Sequence, residues 1–483
     1  MIKINKTEVL LIIILFLNIL LRIPSLLEPI WYGDECIYLT LAHGFNKGLV
    51  FYRDIHDNKP PLLYLIAALA QAKLFWFRLI TIAWNTLNII VVFILAKKIF
   101  KKQLAVITAF FLFFLFSFLP EGRIANGEIF MIMPASLGVL LAITAKKKNH
   151  LLWFLSGLCF SFAFLFKIPI AFDFAGLLVA FFLFPIKKIN DLLILIKDKR
   201  IYLILLGFFL PILLTIIYYS QKGAFTPYVR SALMQNIGYL SSWSGTNWGL
   251  YLRGLILIIV TLFFYLWRRK LGFNFYLFSL MSLYGLFGIF LSERPYPHYL
   301  IEIAPWTALL IAVFLIEKKV VQIISIGLLI ILAGAGVIKY KFWWYPTIPY
   351  YKNFINFTLG KINQDDYFSF FAETKVLNDY KVASYLQKNS LENDRIFIWG
   401  DGSCIYATAK RLPVGRYAVN YHIFDFNGFS ETIQAIKNQQ PKIIIKLASE
   451  SRSFSQLDSI ISKYYAHAID IGEAKIYHRV LSF

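Results

Sequence analysis

Residues 273–291 read FNFYLFSLMSLYGLFGIFL, with no charged side chain anywhere in the run. A helix of about 20 predominantly apolar residues crosses the hydrocarbon core of a bilayer. Comparable runs recur at 9–21, 79–96, 104–119, 129–145, 151–166, 170–185, 201–219, 250–267, 300–316 and 320–338. Runs of about 16 residues still fit by adjusting tilt or borrowing interfacial positions. No strand-like alternation suggests a barrel, and helices are then the only spanning structures that satisfy their own backbone in lipid. The pattern predicts a polytopic α-helical membrane protein with about eleven transmembrane helices. Composition agrees. Of 483 residues, 59% are hydrophobic and 18% aromatic, above the about 45–50% apolar of a soluble domain.

The formal charge of +22 invites a nucleic-acid reading, which its distribution opposes. Basic residues cluster in alternate loops: Lys3 and Lys6; Lys97, Lys98, Lys101 and Lys102; Lys146 to Lys148; Lys187, Lys188, Lys197, Lys199 and Arg200; Arg268 to Lys270; Lys318 and Lys319. This is the positive-inside bias. It predicts a multi-pass protein of the cell membrane, with a cytoplasmic N-terminus, an extracytoplasmic C-terminal domain and no nucleic-acid partner. The first apolar run is followed by Arg22 and Pro24 rather than a small-residue cleavage site, so a retained helix is expected.

Three segments follow. Residues 1–340 read as the membrane domain, with a first outer loop at 28–60 and a short separate helix within 61–73. Residues 341–374 form an aromatic interfacial linker. Residues 375–483 read as a small extracytoplasmic α/β domain. Within it, 376–389 and 455–465 are predicted helices, and Arg395–Trp399, 442–446 and 474–480 predicted strands. Trp243 and Trp248 read as interface-lining rather than sugar-stacking. Three cysteines make no disulfide framework. Cys36 and Cys404 both fall on the outer side, which leaves a bridge open without its being expected.

The unusual polar groups are concentrated. Asp34 and Glu35 stand in Trp31-Tyr32-Gly33-Asp34-Glu35, and Lys59 in Asp57-Asn58-Lys59-Pro60-Pro61-Leu62-Leu63-Tyr64. Arg123, Glu128, Lys167, Arg294, His298 and Tyr299 join them at outer loops or outer helix ends. Ionisable groups at membrane depth are costly and usually face a cavity or one another, so a polar cavity opening outward is expected. A cavity with both signs suits transfer of a sugar from a lipid phosphate. The phosphate needs no strong acid to leave; it needs cations for its growing charge. The acceptor hydroxyl needs a base, and an ionised aspartate supplies one. Asp34 is the candidate base, with Glu35 beside it. Lys59, Lys167, Arg123, Arg294 and His298 are candidate phosphate partners. Glu128 reads equally as a site residue or as an acid favouring a helix N-terminus. The bland alternatives are ordinary loop acids and, for Lys59, a snorkelling anchor.

Gly33-Asp34-Glu35, Asn58-Lys59-Pro60-Pro61-Leu62-Leu63-Tyr64 and Asn126-Gly127-Glu128-Ile129-Phe130-Met131 together resemble the membrane glycosyltransferases of the protein O-mannosyltransferase and aminoarabinose-transferase kind. Phe166-Lys167-Ile168-Pro169 and Pro295-Tyr296-Pro297-His298-Tyr299 resemble motifs of the bacterial members. Trp399-Gly400, Tyr406 and Arg411 to Tyr417 are similar to their C-terminal domain. The resemblance implies the GT-C fold, a catalytic first outer loop and a polyisoprenyl-phosphate-linked sugar donor. It also implies Asp34 as catalytic base, with Lys59 and Lys167 contacting the lipid phosphate. Transfer to a protein, lipid or envelope-glycan hydroxyl, with inversion, is then expected. The aminoarabinose transferases carry a metal-binding glutamate just before the first lysine, where Asn58 stands here. No cofactor is therefore required by this reading, although Asp34, Glu35, Glu128 and His298 are groups able to hold a divalent metal.

A transporter or lipid flippase would also carry intramembrane charges. It would usually show matched helix breaks in repeated halves, and Pro211 has no matching partner in the sequence. A non-catalytic assembly scaffold leaves the clustered charges unexplained.

Overall fold

The computed structural model describes residues 5–146, 149–188, 191–235 and 248–482; Trp243, and the side chain of Trp248, lie outside the described set. The eleven apolar runs become helices: Lys6–Leu20, Leu74–Ile99, Gln103–Phe118, Gly127–Thr144, His150–Phe166, Ile170–Leu183, Lys199–Gln221, Trp248–Leu271, Phe273–Leu291, Ala304–Glu317 and Val320–Lys339. Among the described residues seven apolar helices have the length and hydropathy to cross a membrane, and four are shorter. Their boundaries follow local chemistry. Asn5 accepts from the Glu8 amide while the Glu8 carboxylate accepts from the Asn5 amide, a capping box that starts the first helix. Lys102 is the N-cap of Gln103–Phe118, and Gly272, at φ +83°, is that of Phe273–Leu291.

By its internal contacts the chain forms two compact units. The first comprises Met1–Ile23, Ile80–Tyr218 and Leu233–Tyr345 and is helical. Phe16, Ile258 and Ile331 remain exposed on its helices, as lipid-facing side chains should be. Small residues let its helices approach. A Cβ at Gly157 would lie 1.9 Å from the Ile204 carbonyl oxygen, and one at Gly207 would lie 2.1 Å from that of Phe154. These reciprocal contacts bring His150–Phe166 and Lys199–Gln221 backbone to backbone, the small-residue packing common between membrane helices. One group of buried polar side chains is bonded internally: Arg22 donates to the Gly122 carbonyl at 3.0 Å and to the Asn18 side chain, to which Asn85 also donates.

The second unit comprises Pro24–Leu79, Tyr219–Ala232 and Pro346–Phe483. The first loop thus groups with the C-terminal segment rather than with the helices that follow it in sequence. Its centre is a five-stranded mixed sheet of order β2-β1-β3-β5-β4, with β1 Arg395–Trp399, β2 Leu412–Pro413, β3 Ile443–Leu447, β4 Tyr465–Ile471 and β5 Ala474–Arg479. β1 runs parallel to β2 and β3, while β5 is antiparallel to β3 and β4. Alternate side chains of a strand face opposite sides. Ile396, Ile398, Ile443 and Ile445 therefore pack with Leu386 and Ile405 on one face, and Phe397, Trp399 and Ile444 with Ile436 and Leu457 on the other. The predicted strands and helices of this segment are present. The sequence reading did not include β4 or the short β2.

The first loop contributes the helices Gly33–Asn46 and Leu62–Leu69. It is tied to the C-terminal segment by backbone pairing of His56, whose amide donates to the Arg416 carbonyl at 2.8 Å. It is also tied covalently. Cys36 and Cys404, both buried, form a disulfide across 368 residues of sequence, a bridge that the sequence left open without its being expected. Only Cys159 is free. A cross-link closing so long a loop removes much unfolded-state entropy, worth about 2–5 kcal/mol. The Cys36→Ala/Cys404→Ala variant should therefore melt well below the wild type. Non-reducing peptide mapping should join Cys36 to Cys404; recovery of both as free thiols contradicts the bridge.

Candidate functional site

Tyr32 is the N-cap of the helix that carries the acidic pair, and it makes no side-chain capping bond. Asp34 and Glu35 occupy the first turn, where negative charge complements the helix dipole. Neighbours on a helix point about 100° apart, and the two carboxylates have opposite fates. Glu35 is buried, and both its oxygens accept from Arg78, at 3.0 Å from Nε and 2.6 Å from Nη2. Arg78 has no exposure; it also pairs with Glu28 at 2.8 Å and donates to the Ser25 carbonyl at 2.6 Å. Glu28 in turn accepts from Tyr350 at 2.5 Å and Trp31 at 3.0 Å. Glu35 is thus buried with both oxygens engaged by Arg78.

Asp34 keeps 35% side-chain exposure and faces Lys59, whose Nζ lies 3.7 Å from Oδ2. Tyr38, one turn on and so on the same face, donates to the same oxygen at 3.1 Å and lays its ring 5.1 Å beneath the ammonium. The backbone around Lys59 is pinned from both sides. Its amide donates to the Tyr64 hydroxyl at 2.9 Å, and its carbonyl accepts from Tyr52 at 2.8 Å. Buried Asp57 completes the group, with Oδ2 3.8 Å from Lys59 Nζ and accepting from Tyr64 at 2.7 Å. The Asp57 charge, second to burial itself, holds the Tyr64 phenol well above its ordinary range.

Behind Asp57 sit two buried histidines. His422 Nε2 is 3.4 Å from Asp57 Oδ1, and the His56 ring stands perpendicular to that of His422 at 4.7 Å. Burial pushes His422 down to about 4, with Asp57 opposing and Lys59 reinforcing the shift. Burial pushes His56 well below its usual value too, helped by His422 and Arg416. Both rings are neutral at pH 7.

The helical unit holds the other candidates. Lys167 pairs with buried Glu128 and stacks its ammonium 4.1 Å over the Tyr299 ring. His298 Nδ1 is 2.9 Å from Glu121 Oε2, and its Nε2 is 3.9 Å from Glu128 Oε1. Trp343 donates to the other Glu121 oxygen at 3.1 Å. Glu128, Lys167, His298 and Tyr299 therefore form one cluster. Arg123 instead stacks on Tyr345, 3.8 Å from the ring centroid. Arg294 is half-buried in the turn before Pro297–Ile301. Among the described residues no group of three His, Cys, Asp or Glu side chains could hold a metal ion. Arg78 occupies Glu35 and Lys167 occupies Glu128. The residues present do not fit the metal that the resemblance raised.

Sequence reasoning singled out Asp34 and Lys59, assigned no role to Tyr38, Asp57 or Tyr64, and read Arg416 and His422 as structural. Tyr38 was signalled by its spacing from Asp34, and Asp57 and Tyr64 by lying inside the lysine motif. His422 carries no local signal.

Residues 58–219 match the family model described as dolichyl-phosphate-mannose-protein mannosyltransferase. The fold is similar to the crystal structure of ArnT from Cupriavidus metallidurans bound to undecaprenyl phosphate, with TM-score 0.59 and 10% identity over 98% of each chain. The apo structure of that protein gives TM-score 0.58 and 12% identity over 96% of this chain and 97% of the other. No curated protein matches the sequence. The chain shares the fold of ArnT, and these findings support the resemblance drawn from its motifs.

Two outcomes are expected of the buried charges. Arg78→Met leaves Glu28 and Glu35 buried without their partner and should cost about 3–5 kcal/mol, seen as a large drop in melting temperature. The histidines give a pH effect. Their folded-state values lie below the 6.5 of an unfolded chain, so the unfolded state binds more protons in acid. Their contribution is present above pH 6.5 and is lost as the pH falls towards 4. Melting curves across that window should show the decline, reduced in His422→Gln.

Proposed function

We propose that this integral membrane protein is a glycosyltransferase that moves a sugar from a polyisoprenyl-phosphate donor to an acceptor hydroxyl at the outer face of the membrane. The family-model match supports glycosyl transfer, and the similarity to a protein crystallised with undecaprenyl phosphate supports a lipid-phosphate donor. The observation that carries the reading is the pairing of part-exposed Asp34 with Lys59, while Glu28, Glu35 and Asp57 are buried and engaged.

In the proposed reaction Asp34 takes the proton of the acceptor hydroxyl as that oxygen bonds to the anomeric carbon. The bond from this carbon to the phosphate oxygen breaks, and its electron pair leaves with the lipid phosphate. Lys59 stabilises that developing charge. A single displacement inverts the anomeric centre. Asp57 orients Lys59. Glu35 acts only by holding the helix that carries Asp34. Lys167, Glu128, His298 and Tyr299 are a proposed substrate-binding cluster in their own right, with Arg123 and Arg294 as further proposed anion contacts. The sugar and the acceptor are not named by any of these groups. The outer location is supported by the positive-inside pattern. The Cys36–Cys404 bridge supports it too, because disulfides persist in oxidising compartments and are rare in the cytosol.

The test incubates purified protein with a panel of polyprenyl-phosphate sugars and membrane extract as acceptor source, following release of free polyprenyl phosphate. Wild type should release it, and Asp34→Asn should be slower by at least about 100-fold, the usual loss of a general base. Lys59→Ala should raise the donor KM as well as lower turnover. Asp34→Asn turning over at the wild-type rate contradicts the mechanism.

A further inference from the structure

We infer that His422, supplied by the C-terminal α/β segment, is a positioning residue for Lys59, acting through the Asp57 carboxylate. The inference rests on the reading of Lys59 as a ligand of the lipid phosphate.

The first ground is an unmet need. His422 has no exposure, and neither of its ring nitrogens has a hydrogen-bond partner among the described residues. Leaving a buried polar group unsatisfied costs about 1–3 kcal/mol, so a neutral buried imidazole in this state calls for a reason. Its nearest charged neighbour supplies one: Nε2 stands 3.4 Å from Asp57 Oδ1, a gap that a small rotation turns into a hydrogen bond.

The second ground is what Asp57 does. Lys59 Nζ lies between two carboxylates, 3.7 Å from Asp34 and 3.8 Å from Asp57. Asp34 must remain accessible to take a proton, and buried Asp57 is the other carboxylate that bears on the lysine's resting position. Tyr64 fixes one Asp57 oxygen at 2.7 Å, and His422 faces the other. With Oδ2 held by Tyr64 and Oδ1 facing His422, the carboxylate is kept from swinging onto Lys59 as a closed ion pair. The ammonium stays loosely paired on both sides, ready to exchange carboxylate contact for a phosphate oxygen. An N–H donor at the Nε2 position is the requirement, since it withdraws negative charge from Asp57 without adding a competing cation. Burial keeps the ring neutral for this task.

The third ground is how firmly the ring is seated. The ring packs edge-on against His56 at 4.7 Å and against Tyr421 at 4.5 Å. His56 is itself fixed by the backbone bond to Arg416 and by Ser231 Oγ at 3.2 Å from Nδ1. The C-terminal segment therefore presents its imidazole close to Asp57 in the first loop, which gives that segment a part in donor recognition.

Undecaprenyl phosphate is the probe, because its affinity can be measured without knowing the sugar or acceptor. Binding to wild type, Lys59→Ala, His422→Phe, His422→Asn and His422→Gln is compared in detergent at pH 7.5. Phenylalanine keeps the ring and removes the donor; asparagine is too short to place one at Nε2; glutamine can. His422→Phe and His422→Asn should bind about tenfold more weakly, the scale of one hydrogen bond to a charged group, and His422→Gln should recover most of that loss. A merely structural role would lower the yield of folded protein without this donor-dependent pattern of affinity. If Lys59→Ala binds weakly but all three His422 variants bind as wild type does, the inference is overturned while the Lys59 reading stands. If Lys59→Ala itself binds normally, the Lys59 reading fails and takes the inference with it. Should His422→Phe not fold, the contrast between asparagine and glutamine decides.

Discussion

Arg78 is a guanidinium with no exposure, held between Glu28 and Glu35 and capped by the Ser25 carbonyl. Burying three charges costs several kcal/mol per ion, repaid only where geometry is close to ideal and remaining polar atoms are bonded. Here Glu35 is gripped by two nitrogens, and Glu28 also receives Tyr350 and Trp31. The result is a rotational lock. With Glu35 fixed inward, the helix Gly33–Asn46 has one orientation about its axis, and Asp34 is turned towards Lys59. The disulfide from Cys36 to Cys404 anchors the same turn of helix to the C-terminal segment.

That constraint sorts the five carboxylates of the first loop by what they can do. Glu28 and Glu35 are tied to an arginine, and Asp57 is tied to Tyr64 with His422 behind it. Asp54, 27% exposed, is paired with its neighbour Arg53. Asp34 is the part-exposed carboxylate that faces Lys59, with a tyrosine hydroxyl steadying one oxygen. An ionised, accessible carboxylate beside a lysine is a modest arrangement. It suits a displacement in which the leaving phosphate needs little help beyond a cation and the nucleophile needs only proton removal.

The architecture was legible because lipid imposes a simple rule on sequence. Eleven apolar runs gave eleven helices, with ends displaced by a few residues as caps and turns dictated. Asp34 and Lys59 were singled out because motif and chemistry agreed, and the fold places them 3.7 Å apart. What escaped depends on contacts that no local period records. Whether Glu35 acts or is locked depends on Arg78, 43 residues away. The Cys36–Cys404 bridge spans 368 residues, and counting three cysteines argues against expecting it. His422 looked structural because its partner, Asp57, lies across the fold. β4, reading YAHAIDI with mostly exposed side chains, is an edge strand set by pairing with β5 rather than by burial.

The central claim is that the first-loop lysine receives the lipid phosphate beside Asp34. An experimental structure of the full chain with undecaprenyl phosphate bound tests it most directly. The account predicts a phosphate oxygen within hydrogen-bond reach of Lys59 Nζ, with the Asp34 carboxylate exposed next to it and Glu35 still on Arg78. A phosphate bound away from Lys59, with the Asp34–Lys59 contact intact, would contradict it.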